Sequence, residues 1–428
     1  MMPDAVLKEP GLRECPDCGL FQRIGALRPG QVAECERCGA VLRRRRRNSI
    51  GMTFALAVTG LVLLFVVAIS PLLGFRMAGQ EEVTSVLHLP VAFEDQDMPF
   101  LAVVVLATTM LAPFLRLALT AAVLGGLRGG LSRPTLIAMA RLRAVLAPWA
   151  MIEVFLLGLF VAYTRLAALA EVQIGPALYA LAALMLITAW ADCWLDEDAM
   201  WDAIGRLRRT APPPLVHHAF HAPLIGCDSC GQVSRLRERD ACPRCDTPLR
   251  HRKPHPVART WALMIAAAIL YIPANVYPVM TVIRFGRGAP STILGGVEEL
   301  IEYRMWPLAA LVFVASILVP VLKLVGLVTL LVLTQRASPN RLYDRTRLFR
   351  IVDLIGRWSM IDVFMLSILT ALVRMGVIGS VIPGYGAVAF ASVVVLTMLA
   401  ALSFDPRIMW DAAGAAPVAA PGGRPVQA

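Results

Sequence analysis

The sequence predicts an all-α polytopic membrane protein with two tandem four-helix transmembrane modules in parallel repeat, each preceded by a small cytoplasmic zinc ribbon. Three observations support this prediction: the composition, the recurrence of long apolar segments, and an internal duplication. Hydrophobic residues make up 57% of the 428 residues and charged residues 17%, against roughly 45–50% and 25% in soluble domains. This composition excludes a soluble enzyme, a disordered chain and a fibrous repeat.

The apolar segments define the predicted spans. A helix needs about 20 residues to cross about 30 Å of hydrocarbon, and the sequence contains eight apolar segments of about that length. We place the spans at residues 50–70, 99–124, 147–166, 177–195, 259–278, 307–334, 358–378 and 386–403.

The distribution of Lys and Arg predicts the orientation of these spans. With the N-terminus in the cytoplasm, the inner segments hold 32 of the 41 Lys and Arg residues, and the outer loops hold 4. Both termini are therefore expected in the cytoplasm. The same bias explains the formal net charge of +11. No basic stripe is interleaved with aromatic residues, so we expect no nucleic-acid partner.

Matched motifs reveal the duplication. The segment Trp149–Phe155 corresponds to Trp358–Phe364, and Met200-Trp201-Asp202 corresponds to Met409-Trp410-Asp411, both at an offset of 209 residues. Four spans per copy is an even number, so the two copies have the same orientation in the membrane.

The repeat divides the chain into five predicted regions. These are a first ribbon at 12–47, a first module at 48–210, a second ribbon at 222–252, a second module at 257–412 and a disordered tail at 413–428.

Eight of the nine cysteines form two C-x2-C…C-x2-C clusters. Each C-x2-C pair turns two sulfurs toward one point, and a glycine after the second cysteine permits the tight turn; Asp246 replaces that glycine in the last pair. Four thiolates form a closed tetrahedral site that suits Zn²⁺ in a structural role. The predicted ligands of two zinc ions are Cys15, Cys18, Cys35, Cys38, Cys227, Cys230, Cys242 and Cys245.

Two other interpretations of the clusters remain. A rubredoxin-like iron site uses the same four thiolates, whereas disulfides are disfavoured in the reducing cytoplasm. The ninth cysteine, Cys193, stands alone in the fourth span and is expected to be a small core residue.

Two tandem units of ribbon and four spans resemble the paraquat-inducible protein A family. The resemblance covers about residues 12–411 and is stronger in the second copy, where Arg116 and Ser70-Pro71 of the first are replaced by Lys323 and Tyr277-Pro278. The segments that carry it are Ala274–Met280, Thr292–Leu300, Ala315–Lys323 and Trp358–Phe364.

The resemblance implies an integral component of the bacterial inner membrane in an envelope lipid-transport system. Its implied partners are membrane phospholipid and a periplasmic MCE-domain protein that forms a tunnel toward the outer membrane. Neither the composition nor the spacing of motifs indicates lipid handling by itself.

Ionisable groups at membrane depth are costly, so they are functional candidates. Lys323 lies in the second span of the second copy and Asp362 in the third, and we expect the two to face each other. Ser316 lies seven residues before Lys323, on the same helix face, and Thr397 lies in the fourth span. The resemblance also implies that these four residues form a transport network.

Two roles remain open for the Lys323 and Asp362 pair. It is either a structural ion pair that joins two helices or a protonation-linked transport element, since a buried lysine can lose its proton whereas arginine effectively cannot. The corresponding Arg116 and Glu153 of the first copy favour a structural pair.

Arg165 and Arg374 also correspond, at an offset of 209 residues. Both lie near the outer ends of the third spans, and we expect their side chains to extend to lipid headgroups.

Two functions are weighed at this point. The first is lipid transport, with or without coupling to proton movement. The alternative is a redox- or stress-responsive membrane protein whose metal ribbons sense oxidants or carry electrons. An enzyme is disfavoured, because the sequence has no Walker motif and its loops contain no Ser/His/Asp or paired-carboxylate constellation.

Overall fold

A computed structural model of the protein describes residues 11–77, 80–167, 171–207, 224–235, 240–284, 287–302, 304–373, 379–414 and 426–427. The helices of the first module are α1 (Ser49–Ile69), α2 (His88–Glu94), α3 (Pro99–Gly129), α4 (Arg133–Leu146), α5 (Ile152–Ala167), α6 (Pro176–Trp194) and α7 (Glu197–Arg206). Those of the second are α8 (Pro256–Val276), α9 (Ile293–Glu302), α10 (Trp306–Gln335), α11 (Leu342–Gly356), α12 (Ile361–Leu372), α13 (Tyr385–Ser403) and α14 (Arg407–Ala412).

Short strands accompany the helices. They are β1 (Leu12–Glu14), β2 (Phe21–Arg23), β3 (Gln31–Glu34), β4 (Val41–Arg44), β5 (Leu73–Met77), β6 (Gln80–Thr84), β7 (Glu171–Ile174), β8 (Leu224–Gly226), β9 (Val233–Arg235), β10 (Met280–Arg284), β11 (Arg287–Ser291), β12 (Gly379–Pro383) and β13 (Val426–Gln427). The tail predicted at 413–428 lies mostly outside the described residues, and β13 pairs antiparallel with β3.

Seven of the eight predicted spans are confirmed as helices long and apolar enough to cross a membrane. The predicted span at 358–378 differs. A 3-10 turn at Trp358–Met360 precedes α12, which is 12 residues long, and residues 374–378 lie outside the described part of the chain. The described helix is therefore shorter than the roughly 20 residues that a full crossing needs.

The third span of the first copy begins differently from the prediction. The candidate span is the 35-residue segment Arg133–Ala167. It consists of α4, a 3-10 turn at Ala147–Trp149 and α5, which has 16 residues. The second copy repeats this order with α11, the 3-10 turn and α12. Both third spans are thus interrupted helices, whose break coincides with the duplicated Trp149 and Trp358 motifs.

The second spans share a different irregularity. A π-helical turn occurs at Ala107–Leu111 in α3 and at Val314–Leu318 in α10, 207 residues later. Pro113 and Pro320 are the second residues after these turns. Proline has no N–H to donate to the preceding turn, and a π-turn is a local way to accommodate such a break.

Each module has a three-stranded antiparallel sheet, in the strand orders β6-β5-β7 and β11-β10-β12. Two strands of each sheet follow the first helix of the module, and the third strand, β7 or β12, precedes the fourth span. We call this end of the helices the far end, and the end nearest the cysteine clusters the ribbon end. Gly175 and Gly384 directly follow β7 and β12, the third strand of each sheet. A Cβ at either position would lie within 2.2 Å of the carbonyl oxygen of Pro71 or Pro278, so the close approach requires glycine.

The two modules meet through their third helices. Phe155 of α5 and Phe364 of α12 pack edge to face with ring centroids 5.5 Å apart. Within each module the first and fourth spans pack together, α1 against α6 and α8 against α13. One hydrophobic core joins residues of both modules. Because the two cysteine clusters also contact each other, both modules point the same way, as the parallel repeat requires.

Candidate metal centres and membrane-embedded polar sites

Both cysteine clusters have a geometry that fits a four-thiolate metal site. In each cluster the four Sγ atoms lie within 4.8 Å of one another, and all eight cysteines are buried. Cys15 and Cys38 Sγ are 3.4 Å apart, and Cys18 and Cys35 Sγ are 3.6 Å apart. Four sulfurs at about 2.3 Å from a zinc ion would be separated by about 3.8 Å, so the donor set suits a tetrahedral ion. The clusters could therefore hold two metal ions.

The predicted turns are present. Gly19, Gly39 and Gly231 follow the second cysteine of a pair, and their φ angles are +70°, +68° and +66°. Asp246 holds the fourth such position and adopts φ 56°, also in the left-handed region. Aspartate tolerates this region better than most residues. The same turn therefore forms without glycine.

The first ribbon packs on the second module, which its place in the sequence did not predict. Arg350 of α11 contacts Asp17 through Nε–Oδ2 at 2.6 Å and donates from Nη2 to the Cys38 carbonyl at 2.9 Å. Arg37 lies 4.2 Å above the ring of Trp410 in α14. The four cysteines share a hydrophobic cluster with Leu327, Leu330 and Val352.

The second ribbon packs on the first module in the corresponding way. Arg141 of α4, which corresponds to Arg350 at an offset of 209 residues, donates to the carbonyl of Cys245, the equivalent of Cys38. Its cysteines share a hydrophobic cluster with Val123, Leu136 and Trp201. Trp201 and Trp410 are the matched residues of the duplicated Met-Trp-Asp motif. Each motif therefore contacts the ribbon that precedes the other module.

The ribbons contact each other through a buried carboxylate. Glu14 accepts hydrogen bonds from the Gly226 backbone N–H at 2.9 Å, from Arg252 at 3.0 Å and from Arg407 at 3.3 Å. Burial raises the pKa of Glu14, although the two arginines oppose this effect. Arg407 also contacts Asp405 at 2.9 Å and Asp228 at 3.0 Å. This network links both ribbons to the end of the second module.

Lys323 lies where the sequence predicted it, in the interior of the second module, with 1% of its surface exposed. Its Nζ donates to Thr397 Oγ1 at 3.0 Å and to the Gly356 carbonyl at 3.3 Å. A Cβ at Gly356 would lie 2.9 Å from Nζ, so glycine leaves room for the ammonium group. The site is therefore closed around a single cation.

Asp362 does not face Lys323, and this part of the prediction is wrong. Asp362 lies beside Ser316 and close to Arg165 of the first module. These three side chains line a cavity of about 40 Å³ between α12, α10 and α5. The four predicted network residues thus form two separate pairs, Lys323 with Thr397 and Ser316 with Asp362. The reason is that Lys323 lies two helical turns beyond Ser316, at the depth of the break before α12.

The prediction for Arg165 is also wrong. It turns inward between the modules, near the carboxylates of Asp362 and Glu299, instead of extending to the lipid headgroups. Arg374 lies outside the described residues. Cys193, expected in the core, is exposed.

The first module uses the corresponding positions differently. Arg116, the counterpart of Lys323, forms an ion pair with Asp192 of α6, not with Glu153 as expected. Thr188 corresponds to Thr397 at an offset of 209 residues, and both Arg116 and Thr188 line a cavity of about 740 Å³. The sequence contained a signal for this difference, because Asp192 is replaced by Ala401 in the second module.

Comparisons with known proteins agree with this architecture. The model of the family described as paraquat-inducible protein A matches residues 50–205 and 257–414, one match in each module. The chain is 32% identical over 401 residues to the intermembrane transport protein PqiA of Escherichia coli K12, covering 93% of the chain and 95% of the relative. It is 30% identical over 401 residues to lipophilic envelope-spanning tunnel protein A of the same organism, covering 94% and 91%.

A third relative is the probable intermembrane transport protein of Haemophilus influenzae, 26% identical over 423 residues and covering 96% of the chain and 98% of that protein. No solved structure matches the chain. The match of both modules to one family, together with identity above 30% across nearly the whole chain, shows that this polytopic membrane protein belongs to the paraquat-inducible protein A family.

Proposed function

We propose that the chain is an inner-membrane component of an envelope lipid-transport system that passes phospholipid between the inner membrane and a periplasmic MCE-domain tunnel protein. The observation that carries the proposal is the similarity over more than nine-tenths of the chain to proteins named for intermembrane transport and for an envelope-spanning tunnel. The family model in addition matches both modules. The proposal is of a transporter, not of an enzyme.

The proposed orientation places both ribbons and both termini in the cytoplasm. The Lys and Arg bias between inner and outer segments supports it, since 32 of 41 such residues lie in the inner segments. The far-end sheets would then lie on the periplasmic side, where an MCE-domain partner would meet them.

The polar side chains of the second module are the proposed transport network. Lys323 has two neutral acceptors and no carboxylate within ion-pair distance among the described residues. A buried cation without a paired anion is costly at membrane depth. A lysine can relieve that cost by releasing its proton, which supports coupling of protonation to transport.

The two metal centres are proposed as structural zinc sites. Four protein thiolates leave no open coordination position for a substrate. Ribbons with so little core of their own depend on the ion for folding. Zinc bound in a cluster would only cross-link the two C-x2-C pairs of that ribbon. Iron in the purified protein would instead favour a redox role.

A transfer experiment tests the proposed function. The full-length chain is reconstituted in proteoliposomes with a fluorescent phospholipid, and an MCE-domain protein of the same organism is added from outside. We expect the phospholipid to pass to the partner only when both proteins are present. Absence of transfer when both proteins are present would contradict the proposal.

A further inference from the structure

Two cavities adjoin each other in the first module, and they differ in character. The charged cavity has a volume of about 740 Å³ and lies between α1, α3, α5 and α6. The apolar cavity has a volume of about 640 Å³ and lies between α5 and α6. Glu153 and Met185 line both cavities, so the two volumes meet at these side chains.

The charged cavity contains an excess of positive charge. Four arginines and three carboxylates line it: Arg44, Arg116, Arg143, Arg357, Glu153, Asp192 and Glu197. Arg116 pairs with Asp192, and Arg143 pairs with Glu197 at 2.5 Å. Arg44 and Arg357 form no ion pair with any residue in the described part of the chain. The planar guanidinium groups of arginines that line one space favour an oxyanion such as a phosphate, which accepts bidentate hydrogen bonds.

The apolar cavity follows one face of α5. Leu156, Phe160 and Tyr163 form that face, and Leu178 of α6 and Trp358 of the second module lie opposite. From Glu153 to Tyr163 the helix rises by about 15 Å, which is about half of the hydrocarbon thickness of a bilayer. The cavity therefore has the length of one leaflet's acyl chains.

The order of the two cavities along the membrane defines an orientation. Arg44 belongs to β4 and Arg143 to the last turn of α4, both at the ribbon end. The apolar cavity extends to Leu73 of β5 and Ile174 of β7 at the far end. Charge at the ribbon end, with apolar surface extending from it toward the far end, corresponds to a lipid whose headgroup lies on the ribbon side.

We propose that the joined cavities bind one diacyl phospholipid, with its phosphate between Arg116, Arg357 and Arg44 and its acyl chains against α5 and α6. This inference rests on the proposed function and assigns the site at which lipid is held. Arg357 and Trp358 are consecutive residues of the second module, and they line the charged and the apolar cavity respectively. The second module therefore completes a lipid site whose other walls belong to the first module and the first ribbon.

Native mass spectrometry of the full-length protein tests this assignment. The protein is delipidated by detergent exchange and titrated with palmitoyl-oleoyl phosphatidylglycerol. We expect one phospholipid to bind per chain. The double variant R116Q/R357Q should bind it at least about tenfold more weakly, because it loses charge-assisted hydrogen bonds to the phosphate. Inorganic phosphate, titrated separately, should compete poorly, because it fills only the charged cavity.

A bulky substitution tests whether the apolar cavity contributes to phospholipid binding. Met185→Trp places a bulky ring where the two cavities meet, and it should reduce phospholipid binding severalfold. Leu186→Trp is the matched control, since Leu186 is 64% exposed on the same helix and lines neither cavity. Arg347→Gln is the control for the charge changes, because Arg347 is exposed and lies outside the cavities.

The outcomes separate this inference from the proposed function. Wild-type transfer to the MCE-domain partner together with unchanged lipid binding by Met185→Trp and R116Q/R357Q would overturn the lipid site and leave the transport function standing. Equal binding of inorganic phosphate and phospholipid would also overturn it. Loss of binding and of transfer in both sets of variants, with the two controls unchanged, would support the site. Wild-type protein that binds the lipid but transfers none would contradict the proposed function alone.

Discussion

The two modules are copies of one design, yet their corresponding cations lie in different surroundings. In the second module Lys323 is 1% exposed and closed in by Thr397 and Gly356. In the first module Arg116 pairs with Asp192 and lines a cavity of about 740 Å³. The order of the helices, the π-turns and the 3-10 breaks before the third helices recur in both modules. The difference therefore arises from a few side chains within a shared backbone.

These side chains can be identified one by one. Asp192 is replaced by Ala401, so the second module lacks the carboxylate that holds Arg116 outward toward α6. Ala147 is replaced by Gly356, which makes room for the lysine ammonium group. The duplicated modules thus contain an open charged site around Arg116 and a closed site around Lys323. This division suits a protein in which one module holds a ligand and the other changes its protonation.

The largest expected effect comes from exchanging the two cations. Lys323→Arg should abolish envelope-barrier function, because the closed site has no room for a guanidinium and arginine effectively cannot release a proton. Arg116→Lys should retain most of the function, because the open cavity accommodates either side chain and the charge is kept. Survival of complemented cells on detergent, scored beside the amount of protein in the membrane, measures both.

Misfolding is the competing explanation, and Lys323→Met addresses it. Methionine fills a similar volume without a charge, and Thr397 keeps its own hydrogen bond to the Val394 carbonyl at 3.0 Å. We expect normal abundance and lost function. Leu322→Met, at an exposed neighbouring position, is the control. Full function in Lys323→Met would show that the lysine has only a structural role.

The comparison between modules also shows how far the sequence predicts the structure. The duplication, seven spans and both cysteine clusters followed from spacing and hydropathy, because these signals are local or strictly repeated. The position of Asp362 did not follow. Its place beside Arg165 depends on the break before α12 and on contact between the modules, and neither leaves a periodic signal.

The far-end sheets were missed for a related reason. The strands β5, β7, β10 and β12 have four or five residues each and lie in the loops between apolar segments. Strands this short have no clear alternation. The packing of each ribbon on the other repeat's module is likewise a tertiary arrangement. The sequence contains one indication of this packing, because the Met-Trp-Asp motif that ends each module is as strongly repeated as the core motifs.

Loss of a metal ion should disrupt the crossed packing, in which each ribbon lies on the module of the other repeat. Cys15→Ser should remove one of two zinc ions and unfold the first ribbon, since the ion supplies its folding free energy. Because that ribbon packs on the second module, hydrogen exchange should rise around Leu327, Leu330 and Trp410. Cys227→Ser should instead raise exchange around Val123, Leu136 and Trp201.

Metal content and exchange are measured on the same preparations. A Cys15→Ser protein whose exchange rises only in the first module would contradict the crossed packing. Iron, or no metal, in wild-type protein purified under reducing conditions would contradict the zinc assignment.

The smallest expected effect concerns the matched arginines that hold each ribbon in place. Arg350→Gln removes the contact with Asp17 and weakens the bond to the Cys38 carbonyl, and Arg141→Gln weakens the corresponding bond to Cys245. The Arg350 pair is partly exposed, with 36% and 20% of the two side chains accessible, so the loss should be about 1 kcal/mol, or roughly a fivefold change in an equilibrium constant.

Zinc release to a chelator, followed with a metal-sensitive dye, should become severalfold faster from the first ribbon in Arg350→Gln and from the second ribbon in Arg141→Gln. The Cys227→Ser and Cys15→Ser backgrounds, each with a single remaining zinc ion, assign the signal to one ribbon. Faster release from the second ribbon in Arg350→Gln would mean that each ribbon is held by its own module, and the symmetry proposed between Arg141 and Arg350 would be lost.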